Sequence, residues 1–327
     1  MISNKILNTF NGKNILVTGG TGLIGRQVVD ILVKAGGQIT IVSLDKLDVN
    51  KNAKHLFGDL TDFEFCKKIT KNKDFVFHLA GIKGSIEVTK SKPASFFVPL
   101  LMMNTNVLEA SRLNGVKKLV YTSSIGAYSP AEVFVENKNA GGEPMDMFPG
   151  WAKRMAEKQI EAYKIQYDMT NFAIVRPCNV YGSGDNFDPA NAMVIPSLMS
   201  RIYNKENPVI IWGDGSAIRD FLYSRDAAEG VILALYYGTK GSYVNLGSGK
   251  GYSISELVET LSSFINFKYK FDKSKPSGYP KRVMNMTLAK STIKFNASTT
   301  LLGGLKETWD WFLKNQNEYK KKKNYLK

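Results

Sequence analysis

Short apolar runs alternate with longer amphipathic segments along the first half of the chain. The short runs have the length of buried strands, and the longer segments place apolar residues at helical spacing. This alternation predicts an α/β fold with a doubly wound parallel sheet, because parallel strands are joined by helices that cover both faces. The predicted strands are Asn14–Thr18, Gln38–Val42, Phe75–His78, Lys118–Tyr121 and Asn171–Val175, and the predicted helices are Leu23–Ala35, Phe63–Lys71, Phe96–Asn114 and Trp151–Tyr167.

Three glycines follow the first predicted strand at a spacing of three residues. Gly19, Gly22 and Gly25 stand between the apolar run that ends at Thr18 and the helix that follows. Glycine there allows a tight turn, a close approach of the backbone to a pyrophosphate, and close packing of helix on strand. Free N–H groups and the positive dipole of the helix start favour phosphate. The pattern predicts a dinucleotide-binding site, with a purely structural βα turn as the alternative.

The alternation of strands and helices ends at Pro177, and shorter elements separated by glycine- and proline-containing turns follow. We therefore expect a dinucleotide-binding Rossmann domain over residues 1–176, with a return near 217–246. Residues 177–216 and 247–327 are expected to form a smaller C-terminal lobe. Ligands of open α/β sheets bind outside the carboxyl ends of the strands, so the lobe should cover that edge.

The composition excludes several classes of protein. No apolar run reaches the roughly 18–20 residues of a membrane span, and the first ten residues have no signal-peptide apolar core. Cys66 and Cys178 provide neither a disulfide framework nor a metal-binding spacing. His55 and His78 are the only histidines, so no metal site is expected. We expect a cytoplasmic protein without a membrane partner.

The chain is strongly basic, with a formal net charge of +15. Most of the basic residues are lysines scattered along the sequence, and the one dense cluster is 320–323. A nucleic-acid-binding protein more often shows a basic stripe interleaved with aromatic residues. The charge therefore indicates a solvated lysine-rich surface and no nucleic-acid partner, although its field would attract a diphosphate-bearing substrate.

An acidic residue follows the second predicted strand. Asp45 lies about 20 residues after the last loop glycine, where a carboxylate hydrogen-bonds the adenosine ribose hydroxyls. A tighter alignment of the strand leaves Ser43 at the usual acid position, and Lys46 is close enough to accommodate a 2′-phosphate. The sequence favours NAD over NADP as cofactor and leaves NADP open.

Several further segments, together with the glycine loop, resemble the extended short-chain dehydrogenase/reductase family, whose members act on nucleotide-linked sugars. The resemblance implies a Rossmann sheet, a nicotinamide cofactor, a nucleoside-diphosphate sugar with GDP favoured, and a homo-oligomer, either a dimer or a tetramer. The segments are Thr18–Gly25, Gly58–Leu60, His78–Gly81, Tyr121–Ser124, Arg176–Gly182, Trp212–Gly215 and Arg219–Phe221. Four more resemble the GDP-fucose synthase branch, namely Asp185–Phe187, Val194–Pro196, Lys275–Gly278 and Trp311–Leu313.

The resemblance assigns roles to particular residues. Arg219 would bind the substrate diphosphate through its planar fork, with a surface ion pair to Asp214 or Asp220 as the alternative. Asn179 would contact the same diphosphate or serve as a turn-forming asparagine. The implied cofactor contacts are Gly19, Gly22, Leu23 and Ile24 at the pyrophosphate, Asp45 at the adenosine ribose, Asp59 and Leu60 at adenine, Leu79, Ala80 and Gly81 beneath the cofactor, Lys153 at the nicotinamide ribose, and Thr21. The implied substrate contacts are Ser124, Asn179, Met193, Val194, Arg219 and Lys275.

The catalytic residues depart from the family pattern at one position. The family uses a serine or threonine, and a tyrosine four residues before a lysine that lowers the tyrosine pKa. Ser124 and Lys153 match the serine and the lysine, but Pro149 stands where the tyrosine is expected. No tyrosine lies between Tyr128 and Tyr163. The sugar hydroxyl proton would therefore leave through Ser124 with Lys153 and water, or through Tyr128 or another distant tyrosine, or catalysis is slow or lost.

Two further departures narrow the reaction. Fucose synthases epimerise with a cysteine and a histidine where this chain has Gly126 and Met193, and 4,6-dehydratases use two acids where it has Ile125 and Gly126. Hydride transfer at C4 remains, because it depends chiefly on the cofactor and on alignment. We expect an NAD-dependent oxidoreductase acting at C4 of a nucleoside-diphosphate sugar, such as a GDP-hexose or GDP-heptose, in surface-polysaccharide biosynthesis. A 4-epimerase and a catalytically impaired sugar-nucleotide-binding protein are the alternatives.

An aromatic group and a basic group lie in the C-terminal part of the sequence. Trp309, Trp311 and Phe312 have near-helical spacing, which predicts packing rather than base stacking. Lys281 and Arg282, like Lys275, either face the substrate or form a solvated charge run.

Overall fold

The computed structural model describes residues 2–82, 84, 86–138, 141–188 and 191–316. The strands are β1 (Asn14–Thr18), β2 (Gln38–Ser43), β3 (Lys54–Phe57), β4 (Phe75–His78), β5 (Lys118–Thr122), β6 (Val133–Phe134), β7 (Phe172–Pro177), β8 (Asn179–Tyr181), β9 (Val209–Trp212), β10 (Ile218–Tyr223), β11 (Tyr243–Leu246), β12 (Gly251–Ser253), β13 (Tyr269–Asp272) and β14 (Lys281–Met284). The helices are α1 (Asn4–Leu7), α2 (Leu23–Lys34), α3 (Phe63–Thr70), α4 (Ile86–Ser91), α5 (Pro93–Leu113), α6 (Met147–Tyr167), α7 (Val194–Tyr203), α8 (Ser224–Tyr237), α9 (Ile254–Ser262), α10 (Thr287–Thr292) and α11 (Leu301–Lys314), with short 3₁₀ turns at Asn8–Phe10 and Ile125–Ala127.

Seven parallel strands form the central sheet in the order β3-β2-β1-β4-β5-β7-β11. The first strand, β1, lies in the middle of the sheet. β2 and β3 follow outward on one side of β1, and β4 then pairs with its other side. This reversal creates the crevice between β1 and β4 at which doubly wound sheets bind dinucleotides. The predicted α/β class with a Rossmann-type sheet is confirmed.

Most predicted elements agree with the structure to within a few residues. β1 and β4 have the predicted bounds, whereas α6 begins at Met147 rather than at Trp151. Pro149 and Gly150 weaken the sequence signal for a helix there, but proline is tolerated in a first turn because its missing N–H has no partner to lose. β3 and β11 were not among the predicted strands, and β3 is only partly buried.

The helices divide between the two faces of the sheet. α2 and α8 bury apolar side chains on one face, and α3, α5 and α6 do so on the other. A buried ion pair fixes α6 to the sheet, because the guanidinium of Arg176 on β7 donates two hydrogen bonds to Glu157, one of them at 2.8 Å. The Ser123 hydroxyl donates a third hydrogen bond to Glu157. These contacts determine where the start of α6 meets the carboxyl ends of β5 and β7.

The C-terminal part contributes smaller sheets and a separate apolar cluster. β12, β10, β14 and β6 form one sheet in that order, β8 pairs with β10, and β13 pairs with β9. Phe312 on α11 stacks on Phe187 with ring centres 4.3 Å apart, and Trp309 and Trp311 pack against the same cluster. The predicted packing role of these aromatic residues is confirmed. α8 and β11 return to the central sheet.

Within the part of the chain that the structure describes, no helix is long and apolar enough to cross a membrane. The same residues contain no group of three or more histidine, cysteine, aspartate or glutamate side chains arranged to hold a metal ion.

Candidate active site

The glycine loop between β1 and α2 has a shape that depends on glycine. Gly19 has a φ of +68°, and a Cβ there would lie 2.8 Å from the Cα of Ala80. A Cβ on Gly25 would lie 2.8 Å from the Cα of Gly20, so α2 packs directly on the loop. At Gly22 a Cβ would meet only one described atom within 4 Å, the carbonyl oxygen of Gly19 at 3.2 Å. Gly22 therefore borders open space that a larger side chain would fill.

The open space at Gly22 suits a pyrophosphate. Gly22 is the N-cap of α2 and has no side chain to satisfy the first N–H groups, while Leu23 and Ile24 form the first turn. Such N–H groups bind phosphate oxygens, and the helix dipole favours negative charge. The residues of this loop thus fit the phosphates of a nicotinamide dinucleotide.

Asp45 lies beside the glycine loop, two residues beyond the end of β2. Its carboxylate accepts a hydrogen bond from the Thr21 hydroxyl at 3.4 Å. The Ser43 hydroxyl donates to the Asp45 carbonyl at 2.8 Å and lies 2.7 Å from Nε2 of His55. The acid is therefore held next to the loop despite its late position in the sequence, where it can meet ribose hydroxyls.

Asp59 and Leu60 follow β3 and differ in accessibility. Asp59 is exposed, and its carboxylate accepts a hydrogen bond from the Thr61 N–H at 2.9 Å. The Leu60 side chain is buried in the core under α3 and α5, and its carbonyl accepts a hydrogen bond from Asn106 at 3.1 Å. Asp59 is the accessible side chain of this pair.

The segment Leu79 to Gly81 connects the glycine loop to Lys153. The Ala80 N–H donates to the Thr18 hydroxyl at 3.3 Å, directly below the loop. A Cβ on Gly81 would lie 3.7 Å from Nζ of Lys153. The three residues thus form the floor between the loop and the start of α6.

His78, beneath this floor, is a structural residue. The Thr18 hydroxyl lies 2.8 Å from Nδ1, and Nε2 lies 3.0 Å from the side-chain oxygen of Asn104. Burial lowers the pKa of His78 to about 3, and the nearby charge of Lys153 acts in the same direction. The imidazole is therefore neutral at physiological pH, donates to Asn104 and accepts from Thr18.

Lys153 lies in the second turn of α6, at the carboxyl end of β5. Its Nζ donates a hydrogen bond to the Thr122 carbonyl at 2.7 Å and lies 5.1 Å from the centre of the Tyr121 ring. One of its three N–H donors is thereby used, which leaves two for a ligand. Surrounding protein reduces its hydration and lowers its pKa to about 8, although Glu157 one turn further on opposes the shift.

Ser124 stands two residues beyond β5, at the start of the short turn Ile125–Ala127. Its side chain is partly buried, and its oxygen accepts a hydrogen bond from the Gly126 N–H at 3.0 Å. The hydroxyl hydrogen remains available to a ligand oxygen. Ser124 and Lys153 thus project from neighbouring elements at the same edge of the sheet.

Tyr128 does not reach this edge, so the structure removes it as a replacement for the family tyrosine. Its side chain is fully buried, and its hydroxyl donates to Asn245 on β11 at 2.7 Å. The guanidinium of Arg176 lies 4.2 Å from the centre of its ring. Burial raises its pKa, so the hydroxyl stays protonated in the core.

Two arginines lie side by side on the substrate side. Arg219 on β10 is paired in register with Arg282 on β14. Burial and the charge of Arg282 lower the pKa of Arg219 to about 10. Among the described residues no carboxylate forms a salt bridge with Arg219, whose only described hydrogen bond goes to the Ile218 carbonyl at 2.8 Å. Two adjacent guanidiniums, one lacking an acidic partner, suit a diphosphate.

Neither Asp214 nor Asp220 pairs with Arg219, so the surface ion-pair alternative is wrong. Asp220 instead accepts hydrogen bonds from the backbone of Ser248, Gly249 and Met284 at 2.9–3.2 Å. Asp214 accepts from both the N–H and the hydroxyl of Ser216. The two acids therefore fix the loops around β10, and neither forms a hydrogen bond with Arg219.

The four remaining residues that were expected to contact the substrate differ in burial and in their contacts. The Asn179 side chain donates to the Asp220 carbonyl at 3.0 Å. Met193 is the N-cap of α7 and Val194 its first residue, both partly buried. Lys275 is exposed, with Nζ 5.8 Å from the centre of the Trp212 ring. These contacts do not assign a ligand to any of the four.

Sequence reasoning missed one acidic residue of this cleft. Asp146, the N-cap of α6, places its carboxylate against Gly126, two residues after Ser124. The only sequence signal was the glycine itself, which leaves room for a side chain from elsewhere. The partner is 20 residues away along the chain, and nothing in the pattern identifies it.

Comparison with known proteins agrees with this geometry. Residues 15–247 match the model of the NAD dependent epimerase/dehydratase family. The chain is 31% identical over 316 residues to GDP-L-fucose synthase 1 of Arabidopsis thaliana. The alignment covers 92% of this chain and 93% of that protein.

Two solved structures with similar folds also share sequence with the chain. A UDP-glucose 4-epimerase of Thermotoga maritima, solved with UDP-glucose, has a TM-score of 0.80 and 29% identity over 93% of this chain and 99% of its own. A GDP-L-fucose synthetase of Naegleria fowleri, bound to NADP, has a TM-score of 0.79 and 26% identity over 94% of each chain.

The chain belongs to the NAD dependent epimerase/dehydratase family. The expectation of an extended short-chain dehydrogenase/reductase, from a family of enzymes that modify nucleotide sugars, is confirmed. The protein is a nicotinamide-dependent enzyme of this kind, and NAD agrees with the family description.

Proposed function

We propose that this enzyme is an NAD-dependent oxidoreductase that transfers hydride at C4 of a nucleoside-diphosphate sugar. A continuous series of contacts supports the proposal. The glycine loop touches Ala80, Gly81 borders Lys153, and Lys153 bonds to Thr122 two residues before Ser124. Asp146 adjoins Gly126, two residues after Ser124, and its pKa responds to Arg282, which is paired in register with Arg219. The series provides a dinucleotide site at one end and a diphosphate site at the other.

The side chains have separate tasks in this proposal. The two unused N–H groups of Lys153 hold the hydroxyls of the nicotinamide ribose, and the Ser124 hydroxyl donates to O4 of the sugar. Arg219 and Arg282 bind the diphosphate, which neutralises their mutual repulsion. The cofactor supplies the hydride acceptor at C4. Protein residues therefore act chiefly by alignment, which is the main requirement of hydride transfer.

We further propose that the dinucleotide binds to residues 1–176 with the return near 217–246, and that 177–216 and 247–327 bind the sugar nucleotide. NAD is preferred over NADP because Asp45 would repel a 2′-phosphate. The proposed substrate is a GDP-linked hexose or heptose of surface-polysaccharide biosynthesis, and the identity to GDP-L-fucose synthases supports the choice of GDP. The buried, unpaired thiols of Cys66 and Cys178 suit a reducing cytoplasm.

A homo-oligomer is part of the same proposal. α5 and α6 pack against each other and expose several large apolar side chains, which a second copy would cover. These side chains are Val98, Met102, Met155, Ile165 and Tyr167. Sedimentation of the purified protein should give the mass of a dimer or tetramer, and a monomer at micromolar concentration would contradict this part.

A 4-epimerase is the second candidate, favoured by the similarity to the Thermotoga maritima UDP-glucose 4-epimerase. In that reaction the keto sugar is turned over and reduced on its other face by the same cofactor. A protein that binds sugar nucleotides without turnover is the remaining alternative, since Pro149 replaces the tyrosine.

One experiment separates the three possibilities. The purified protein is incubated with NAD and either GDP-mannose or UDP-glucose, and absorbance near 340 nm is followed together with the sugar product by NMR. A net increase in absorbance near 340 nm indicates an oxidoreductase. A sugar product inverted at C4, formed without a net change in absorbance, indicates an epimerase. Binding by calorimetry without either change would contradict the proposed activity. Mass spectrometry of a co-purified ligand would identify the base and the sugar.

A further inference from the structure

Gly126 and Asp146 occupy adjoining space in the cleft. A Cβ on Gly126 would lie 2.5 Å from Cγ of Asp146 and still closer to Oδ2. Real Cβ atoms do not approach other heavy atoms so closely, so any side chain at 126 would displace the carboxylate. Glycine at 126 therefore permits the position of Asp146.

Backbone hydrogen bonds hold this arrangement in place. The Asp146 N–H donates to the Gly126 carbonyl at 3.1 Å, and the Gly126 N–H donates to Oγ of Ser124 at 3.0 Å. The Gly150 N–H in turn donates to the Asp146 carbonyl at 3.2 Å. The Asp146 backbone is thus held against the turn that follows β5, next to Gly126, which lies two residues after Ser124.

Asp146 immediately precedes the helix that carries Lys153. The two residues are seven positions apart along the chain, and Gly150 lies between them in the first turn of α6. A Cβ on Gly150 would lie 2.6 Å from the Gly126 carbonyl oxygen, so the first turn of α6 packs on the turn after Ser124. The start of α6 therefore holds Asp146 against the turn after Ser124.

The carboxylate has no structural task among the described residues. Although Asp146 is the N-cap residue of α6, its side chain makes no capping hydrogen bond, and no described residue donates a hydrogen bond to it. Asp146 is exposed to solvent, yet nearby protein atoms reduce the hydration of its carboxylate and raise its pKa above the ordinary value. Arg282 on β14 is the charged group that faces it, and it opposes the rise. An accessible carboxylate with free lone pairs is suited to accept a proton.

We propose that Asp146 is the general base that replaces the missing tyrosine, a role that rests on the function proposed above. During oxidation the C4–H bond breaks and its electron pair passes as hydride to NAD. The O4–H bond breaks at the same time, and its proton passes to the Asp146 carboxylate directly or through one water. The products are the 4-keto sugar, NADH and protonated Asp146, and reduction follows the reverse course.

The neighbouring groups are less suited to accept this proton. Lys153, with a pKa of about 8, is mostly cationic near neutral pH and donates to Thr122. Tyr128 is buried and donates to Asn245. Ser124 has an ordinary alcohol hydroxyl that needs a base of its own.

The direct test is Asp146→Asn, which preserves shape and removes the base. Wild type and variant are compared with NAD and GDP-mannose or UDP-glucose in single-turnover experiments followed at 340 nm. We expect hydride transfer to slow by about 10² to 10⁴-fold, while calorimetry shows unchanged binding of both ligands. Asp168→Asn, at the left-handed C-cap of the same helix where asparagine is tolerated, is the matched control and should retain the wild-type rate.

Two further readouts separate a base from a structural residue. The wild-type rate should fall as pH drops through the pKa of Asp146, and this acidic limb should be absent from Asp146→Asn. In NMR spectra of protein labelled with ¹³C at aspartate Cγ, the resonance missing from the variant should titrate above the ordinary aspartate value of about 3.9. This titration requires neither cofactor nor turnover.

Gly126→Ala provides an independent approach, because it displaces the carboxylate and leaves Asp146 in the chain. It should slow wild type but have no further effect in the Asp146→Asn background. A wild-type rate and unchanged pH profile in Asp146→Asn would overturn the proposal while leaving the proposed function intact. Wild-type protein that binds the probes but transfers no hydride would instead overturn the proposed function, and this inference with it.

Discussion

Replacing Arg219 by alanine should affect ligand binding and stability in opposite directions. Arg219 is paired in register with Arg282, and no described carboxylate forms a salt bridge with it. Its pKa of about 10 means that the folded protein disfavours its positive charge. The free protein therefore holds Arg219 in a strained electrostatic environment that a bound diphosphate would relieve.

The contacts of Arg219 allow both the loss of affinity and the change in stability to be estimated. Each hydrogen bond from a charged group contributes about 1.5–3 kcal/mol, so loss of a bidentate contact should cost about 3 kcal/mol, or roughly 10²-fold in affinity for the sugar nucleotide. Removal of the desolvated charge, and of its smaller repulsion with Arg282, should favour the folded free protein. Because Arg219 is partly exposed, that gain is on the order of 1 kcal/mol after allowance for solvent screening, which is partly offset by the lost hydrogen bond to Ile218.

Calorimetry with GDP-mannose or UDP-glucose, and separately with NAD, measures the two affinities, and thermal unfolding measures stability. Arg219→Ala should weaken sugar-nucleotide binding, leave NAD binding unchanged and leave the unfolding temperature equal or higher. Arg201→Ala is the control, because Arg201 on α7 is ion-paired with Glu206 and should not alter either affinity. If Arg219→Ala bound the sugar nucleotide as tightly as wild type, or lost as much affinity for NAD as for the sugar nucleotide, the assignment would be refuted.

Three further predictions concern the cofactor and the core. Gly22→Val fills the open space at the start of α2, so it should abolish NAD binding in a folded protein, and unchanged NAD affinity would refute the pyrophosphate site. Asp45→Ala should improve NADP binding relative to NAD by on the order of 1–3 kcal/mol, as measured by fluorescence titration, whereas tighter binding of NADPH by wild type would reverse the preference. Glu157→Gln leaves Arg176 buried without its anionic partner, so the free energy of unfolding in urea should fall by about 3–5 kcal/mol, and a loss below 1 kcal/mol would contradict a tightly coupled pair.

The local pattern of the sequence predicts much of the sheet because each central strand is a short apolar run between turns. β1 and β4 show this most clearly, since both are buried and have the predicted bounds. β3 was missed because its residues are only partly buried and include polar side chains. The start of α6 was missed because Pro149 and Gly150 are poor helix formers, and their tolerance in a first turn depends on context.

The site was predictable where it depends on adjacent residues. The glycine loop is one continuous segment, in which a side chain at Gly19 or Gly25 would collide with backbone and one at Gly22 would fill the open space. Asp146 was not predictable, because its importance arises from contact with Gly126 across 20 residues of chain. That no acid among the described residues pairs with Arg219 was equally unpredictable, since Asp214 and Asp220 are nearby in sequence and their hydrogen bonds appear only in the fold.

Isotope transfer tests the central claim of C4 hydride transfer most directly. The enzyme is incubated with a 4-keto sugar nucleotide and NADH that carries deuterium at the transferable position, and in a second sample with unlabelled NADH in D₂O. The account predicts deuterium at C4 of the product in the first sample, and none at C3 or C5 above the no-enzyme control in the second. Absence of label at C4, or incorporation at C3 or C5 at the rate of turnover, would contradict it.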